Sequence, residues 1–279
     1  MTRKLLAGKS TLVVGGSGGI GRVVAAHVAA EGSKLCIVGR NRRRISTALT
    51  QLREAGYSEI KGMCCDVGDY RSVQRMMMRA AKMLDGLDIL INAAGIQAPI
   101  GAFSGNNIKE WEHNLQVNLF GPVYCCKAVL PFFEARGGGS IINFSGGGAT
   151  SSRAFFSAYA VAKTGLVRFT EVLAEELLDR KIRVNAVAPG AVNTRMLDEV
   201  ISYGQKAGDR ELGEAKRRAK EGGAPPELAA ELVVFLASHR SAGLTGKLIS
   251  AQWDPWKTWN KASIKVIMAS SKYSLRRLS

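Results

Sequence analysis

A single doubly wound parallel sheet with helices on both faces is the fold class this sequence predicts. Three observations predict it. Short β-branched or apolar runs alternate with helix-length amphipathic segments along the chain. The 31 glycines cluster at the carboxyl ends of those runs and follow no fixed period, so they mark tight turns, not a fibrous repeat. Apolar residues make up 46% of 279 positions, enough for one full core without a second domain.

The first strand is read at 11–14, and Gly15-Gly16-Ser17-Gly18-Gly19-Ile20-Gly21 follows it directly. A helix opens there, with Ile20, Val24 and Val28 on one stripe. Strand, glycine turn and helix are what a dinucleotide-binding unit requires. The glycines let backbone approach a pyrophosphate, and the helix start offers free N–H groups and a positive dipole end. Gly8-Lys9-Ser10-Thr11 looks like the end of a triphosphate-binding loop, but Arg3 stands where that loop needs glycine, and the strand follows instead of preceding it.

The second strand, 34–38, ends in Gly39-Arg40-Asn41-Arg42. An acid at this point would hold a ribose 2′-hydroxyl, whereas an arginine accepts a 2′-phosphate. The acid is missing. Arg40, with Arg42 or Arg43 in support, favours NADP(H) over NAD(H). The third strand, 60–65, closes on Asp66-Val67, where the aspartate either bonds near an adenine or caps the helix at 70–83. The fourth, 87–91, ends in Asn92-Ala93-Ala94-Gly95, small residues that suit a backbone passing close to a cofactor.

Residues 111–135 read as largely helical. Within them Asn118 lies among Leu115, Val117, Leu119 and Phe120 and needs a hydrogen-bonding role, either bracing a bent helix or relaying a proton. After a fifth strand at 140–144 comes a helix carrying Tyr159 and Lys163, four positions apart and hence on one face. A phenol beside an ammonium is a proton-transfer device, in which the cation is expected to draw the tyrosine pKa down towards neutral pH. The sixth strand, 182–187, leads to Ala188-Pro189-Gly190, with Thr194 beyond. Charged, glycine-bearing residues 195–223 follow at a strand's carboxyl end and are expected to form a mobile cover over the substrate. Pro225-Pro226 starts a last helix, and 247–250 forms a final strand.

Composition narrows the class further. The formal charge is +16, with clusters at 42–44, 216–220 and 276–277, but no aromatic interleaving or nucleic-acid motif accompanies it. Solubility and attraction of anionic ligands are the reading, with no nucleic acid and no membrane among the partners. The five cysteines form no C-x-x-C pair and fit a reducing compartment as small buried hydrophobes; the three histidines are scattered, and no metal site is expected. Leu5-Leu6-Ala7 is too short for a signal peptide, and no apolar run spans a membrane, so the chain reads as cytoplasmic.

These motifs together resemble the short-chain dehydrogenase/reductases. The pieces are V-G-G-S-G-G-I-G at 14–21, C-D-V at 65–67, N-A-A-G at 92–95, Asn118, Tyr159-x-x-x-Lys163 and R-V-N-A-V-A-P-G at 183–190 with Thr194, in the family's order and covering residues 8–250. The resemblance implies a Rossmann domain over 1–250, with 251–279 as a C-terminal extension. It implies hydride transfer between a nicotinamide and a small carbonyl or alcohol substrate, in a homotetramer or homodimer. Tyr159 would be the acid/base, Lys163 would tune it and hold the nicotinamide ribose, and Asn118 would anchor a relay water. Thr194 and the backbone of 190–192 would hold the carboxamide. The implied cofactor-binding set is Gly15, Ser17, Gly18, Gly19, Ile20, Gly21, Arg40, Asp66, Val67, Asn92, Ala93, Ala94, Gly95, Tyr159, Lys163, Pro189, Gly190, Val192 and Thr194.

Three departures stand out. Val14 replaces a threonine that braces the glycine loop. The usual V-D-G-G ending is replaced by Ser250-Ala251-Gln252-Trp253-Asp254-Pro255-Trp256 and a tail that shapes the substrate pocket, makes a subunit contact or packs on the domain. Most consequentially, the family's catalytic serine lies thirteen positions before the tyrosine, and that position is Gly146. Ser145 is one step earlier, and neighbours at a strand end point to opposite faces. The Gly146–Gly148 run could relax that geometry or bind the oxygen through its own N–H groups, and Ser151, Ser152 and Ser157 are further candidates. An alternative to an enzyme is therefore an NADP(H)-binding sensor or structural protein with little turnover.

Overall fold

The computed structural model describes residues 4–277. Residues 1–3, at the start of the N-terminal segment discussed above, and 278–279 lie outside the described residues.

Strand and helix alternate as the patterning requires. β1 (Ser10–Val14), α1 (Gly19–Ala30), β2 (Lys34–Gly39), α2 (Arg42–Glu54), β3 (Ile60–Cys64), α3 (Tyr70–Leu84) and β4 (Ile89–Asn92) make the first half. α4 (Ile108–Leu115), α5 (Gly121–Ala135), β5 (Gly139–Phe144), α6 (Ser157–Glu176), β6 (Ile182–Ala188), α7 (Arg195–Tyr203), α8 (Asp209–Glu221), α9 (Pro226–Ala237), β7 (Leu248–Ser250) and α10 (Lys261–Met268) complete it. The seven strands form one parallel sheet in the order β3-β2-β1-β4-β5-β6-β7. Strand order therefore reverses between β1 and β4, and the crevice at their carboxyl ends is where open α/β sheets bind ligands.

Each face of the sheet buries its own apolar layer. Val24, Val28, Ile37, Ile91, Val233 and Phe235 hold α1 and α9 to one face. Leu12, Val73, Met77, Val129, Phe133 and Leu173 hold α3, α5 and α6 to the other. Four cysteines are buried and Cys64 is exposed. Burial pushes the Cys36 and Cys126 thiols up to about 12, so both behave as small apolar groups.

Two regions take a form the sequence did not specify. The charged cover at 195–223 consists of two helices, α7 and α8, joined by a short turn at Gly204–Ala207. α8 is tied to the loop after β5 by Arg153, whose Nε and Nη2 donate to Glu211 Oε2 at 2.9 and 2.7 Å. Residues 251–277 fold back on α9 and the sheet edge. Trp256 and Trp259 pack on Phe235, with ring centroids 5.9 and 6.5 Å apart, and Ile264 and Ile267 of α10 join the same core. Leu248 N donates to Tyr273 O at 2.8 Å, so the tail also covers part of the β7 edge. Packing, then, is the role of Trp256 and Trp259, while Trp253 stays exposed.

Candidate active site

The strand ends converge on a cavity of about 540 Å³. One end is the glycine turn. A Cβ on Gly15 would meet the Ala94 backbone and one on Gly21 would overlap Gly15 O, so both positions exclude side chains and let two turns interlock. Gly18 faces open space. α1 starts there with no side-chain cap and no acid in its first turn, which leaves its first N–H groups free for an anion. These features fit a dinucleotide pyrophosphate.

At the β2 end, Ser17, Gly39, Arg40, Asn41 and Arg44 line the cavity. A Cβ on Gly39 would overlap Ser17 Oγ, so the glycine makes room for that hydroxyl. Arg42 and Arg43, expected to support Arg40, do not line the cavity. Asn41 caps α2 by accepting from Arg44 N at 3.0 Å, and Arg44, in the helical turn so started, lines the cavity with Arg40. Helical phase from residue 41 was the signal for Arg44.

Several implied cofactor residues are placed otherwise. The Asn92 side chain turns into the core and donates to Asn143 Oδ1 at 2.9 Å, because the pleat of β4 directs it to the α5 side, 3.7 Å from Cys126 Sγ. Ala93, Ala94 and Gly95 do line the cavity. Asp66 is exposed and accepts from Gly68 N at 3.0 Å, and Asp69, not Asp66, caps α3. Val67 reaches the cavity, as do Pro189 and Thr194; Gly190 and Val192 do not.

The chemical end is formed by α6 and the turn after β5. Tyr159 and Lys163 share a helix face, are buried, and line the cavity with Phe144 and Ser145. Lys163 Nζ donates to Phe144 O at 2.9 Å and lies 5.6 Å from the Tyr159 ring centroid. The expectation that the ammonium draws the phenol down is not met in this geometry. Burial raises the Tyr159 pKa, with Arg153 offsetting part of the rise, and burial lowers Lys163 to about 8. Lys163 does not offset the burial of the phenol, because its ammonium is directed to the Phe144 carbonyl and not to the phenolic oxygen.

The same geometry leaves little room beside Gly146. A Cβ there would overlap Tyr159 Oη. Ser145 is 4% exposed, and its Oγ has no hydrogen-bond partner among the described residues. Ser157 accepts from Trp111 Nε1 at 3.1 Å, and Ser151 and Ser152 are exposed. Of the serines near the tyrosine, Ser145 alone lines the cavity.

Asn118 lies in a π-helical turn, Gln116–Phe120, between α4 and α5. Its Oδ1 accepts from Ile96 N at 3.2 Å, and its Nδ2 donates to Ile96 O at 2.8 Å and Asn114 Oδ1 at 2.8 Å. The side chain therefore braces the bent helix against the loop after β4. Asn114, which sequence reasoning passed over, continues the brace by donating to Ala98 O at 2.6 Å. A buried amide one turn before Asn118 was the available signal. Among the described residues no group of His, Cys, Asp or Glu is placed to hold a metal ion, and no helix is long and apolar enough to cross a membrane.

Comparisons with known proteins agree with this architecture. The family model for short chain dehydrogenase matches residues 9–203. Dehydrogenase/reductase SDR family member 4 of Homo sapiens is 34% identical over 253 residues, covering 89% of this chain and 88% of its own. A short-chain dehydrogenase/reductase from Burkholderia xenovorans superposes with a TM-score of 0.79 at 33% identity, over 88% of this chain and 96% of its own. A variant of actinorhodin polyketide ketoreductase, solved with NADPH, gives 0.80 at 29% identity over 87% and 95%.

Proposed function

The chain belongs to the short-chain dehydrogenase family, and we propose that it is an NADP(H)-dependent oxidoreductase acting on a small carbonyl or alcohol compound, with Tyr159 as acid/base. The observation that carries this reading is one cavity with two chemically distinct ends. Uncapped α1, Arg40 and Arg44 form an anion-binding end, and Tyr159, Lys163 and Ser145 form a proton-handling end. Arg40 and Arg44 would pair with a 2′-phosphate, and the solved relative with bound NADPH is consistent with that choice.

When bound, the nicotinamide supplies or accepts the hydride. This chain's residues do the rest. Tyr159 donates its proton to the substrate oxygen as negative charge develops there. Its raised pKa keeps the phenol protonated at neutral pH, which suits carbonyl reduction, whereas alcohol oxidation needs the phenolate and gains with rising pH. Lys163 keeps a positive charge beside the site below about pH 8 and would hold the nicotinamide ribose. The free Ser145 hydroxyl would donate to the same substrate oxygen as Tyr159, in the place of the residue missing at Gly146. Pro189 and Thr194 would border the carboxamide. Asn118 would contribute through its backbone at the π-helical turn, since its side chain is committed.

We read the protein as a cytoplasmic homodimer or homotetramer; Phe120, Val161 and Val172, exposed on or beside α5 and α6, support self-association. A scan of NADPH oxidation against aldehydes, ketones, quinones and keto-sugars tests the reading. Turnover with at least one class is expected, and tight NADPH binding without turnover would contradict it.

A further inference from the structure

We infer that Arg195 is a phosphate clamp, closing on the dinucleotide pyrophosphate from the α7 side of the cavity, opposite the start of α1; this rests on the dinucleotide reading above.

The charged side chains lining the cavity are Arg40, Arg44, Lys163, Arg195 and Glu199. Arg40 and Arg44 stand at the β2 end, and Lys163 is directed to Phe144 O beside the tyrosine. Arg195 is left, on the wall facing the glycine turn. The two walls are close there. A Cβ on Gly19 would lie 3.6 Å from Thr194 Cγ2, and Arg195 is the next residue. Thr194 Oγ1 already accepts from Met196 N at 3.2 Å as the α7 cap. The charge available at this point is therefore that of the arginine.

Arg195 has one ionic partner, Glu199 Oε1, 3.3 Å from Nε. Its two Nη groups make no hydrogen bond among the described residues. This pair does little for the helix. A cation in the first turn opposes the helix dipole, and acid-before-base is the favourable order at i,i+4, the reverse of Arg195 and Glu199. The side chain is also 59% exposed, where an ion pair contributes little. What the pair does achieve is local neutrality. Glu199 is the cavity's one carboxylate, and Arg195 offsets it while remaining within the cavity wall. A pyrophosphate seated on the α1 N–H groups offers the guanidinium two charged acceptors and makes the stronger, charge-assisted bonds. α7 packs against α8, which Arg153 and Glu211 tie to the turn after β5. Engaging Arg195 therefore also fixes the helices that cover the substrate side, so cofactor binding orders the cover.

The test is equilibrium binding of NADPH and of NADH to the purified protein, read by fluorescence, for wild type and Arg195→Ala, Arg195→Lys and Glu199→Gln. Arg195→Ala should weaken both cofactors alike, by roughly 10–100-fold, the range for a hydrogen bond to a charged group. Its remaining affinity should depend less on salt than that of wild type. Arg195→Lys should recover part of the loss, and Glu199→Gln should bind at least as tightly as wild type. On NADPH addition, amide exchange in 195–203 should slow in wild type and not in Arg195→Ala. Unchanged affinity for both cofactors in Arg195→Ala would overturn the clamp. A loss confined to NADPH would also overturn it, placing Arg195 with the 2′-phosphate group instead. A wild type that binds neither cofactor would instead remove the dinucleotide reading itself.

Discussion

The segment from Asn143 to Lys163 reaches the cavity by two routes, and they differ in how tightly they are constrained. At its helical end, Tyr159 and Lys163 are set by the repeat of α6, which places positions four apart on one face. At its strand end, Ser145 and Gly146 leave β5 through a glycine turn, where backbone freedom decides direction. The helical end keeps the family's residues. The strand end has Gly146, where a Cβ would meet Tyr159 Oη, and one residue earlier the Ser145 hydroxyl, which has no hydrogen-bond partner among the described residues. The positions of Tyr159 and Lys163 follow from a rigid helical repeat.

Substitutions can break that comparison. The largest effect is expected for Tyr159→Phe, which removes the acid and should cost about 10²–10⁴ in kcat at saturating NADPH. Ser145→Ala should cost about 10²–10³ in kcat, the price of one oxygen-directed donor. Gly146→Ser in the Ser145→Ala background should not restore the rate, because the new side chain meets Tyr159 Oη; a rescue would move the donor to 146. Gly146→Ala alone should lower stability by about 1–3 kcal/mol as overpacking does, measured by denaturant unfolding, and should depress kcat through the displaced phenol.

Smaller effects sharpen the picture. Arg44→Ala should raise the NADPH KM roughly tenfold or more and barely change that for NADH, while Arg42→Ala and Arg43→Ala leave both unchanged. Lys163 is lowered from 10.5 to about 8 in the fold, so between those values the unfolded chain binds more protons than the native one. Its contribution to stability therefore rises with pH across that window. Wild-type stability relative to Lys163→Met should move in favour of wild type from about pH 8 to about pH 10.5, as followed by urea melts at each pH.

What the sequence made legible follows the same division. Strand ends, the glycine turn and the Tyr159/Lys163 face are governed by short-range periodicity, so their places could be derived. Arg44 was within reach, because the cap at Asn41 fixes its helical phase, yet the neighbouring Arg42 and Arg43 drew the assignment by proximity alone. Asn92 was carried over from a motif, and strand pleat sends it into the core. The helical nature of 195–223 was hidden because its residues are charged and glycine-spaced, and what holds it is long-range: the Arg153–Glu211 pair and the packing of Leu197, Val200, Ala207 and Ala215 on Ile100, Phe156 and Tyr159. The direction of the Tyr159 pKa also escaped, since it depends on burial and on where the Lys163 ammonium points, and neither is local in sequence.

Single-turnover oxidation of bound NADPH by a carbonyl substrate, followed in wild type and Tyr159→Phe after equal saturation with cofactor, tests the central claim directly. Rapid oxidation in wild type and a chemical step slowed by about 10²–10⁴ in the equally saturated variant is the predicted result. Equal rates in the two proteins would contradict the assignment of Tyr159 as the proton donor.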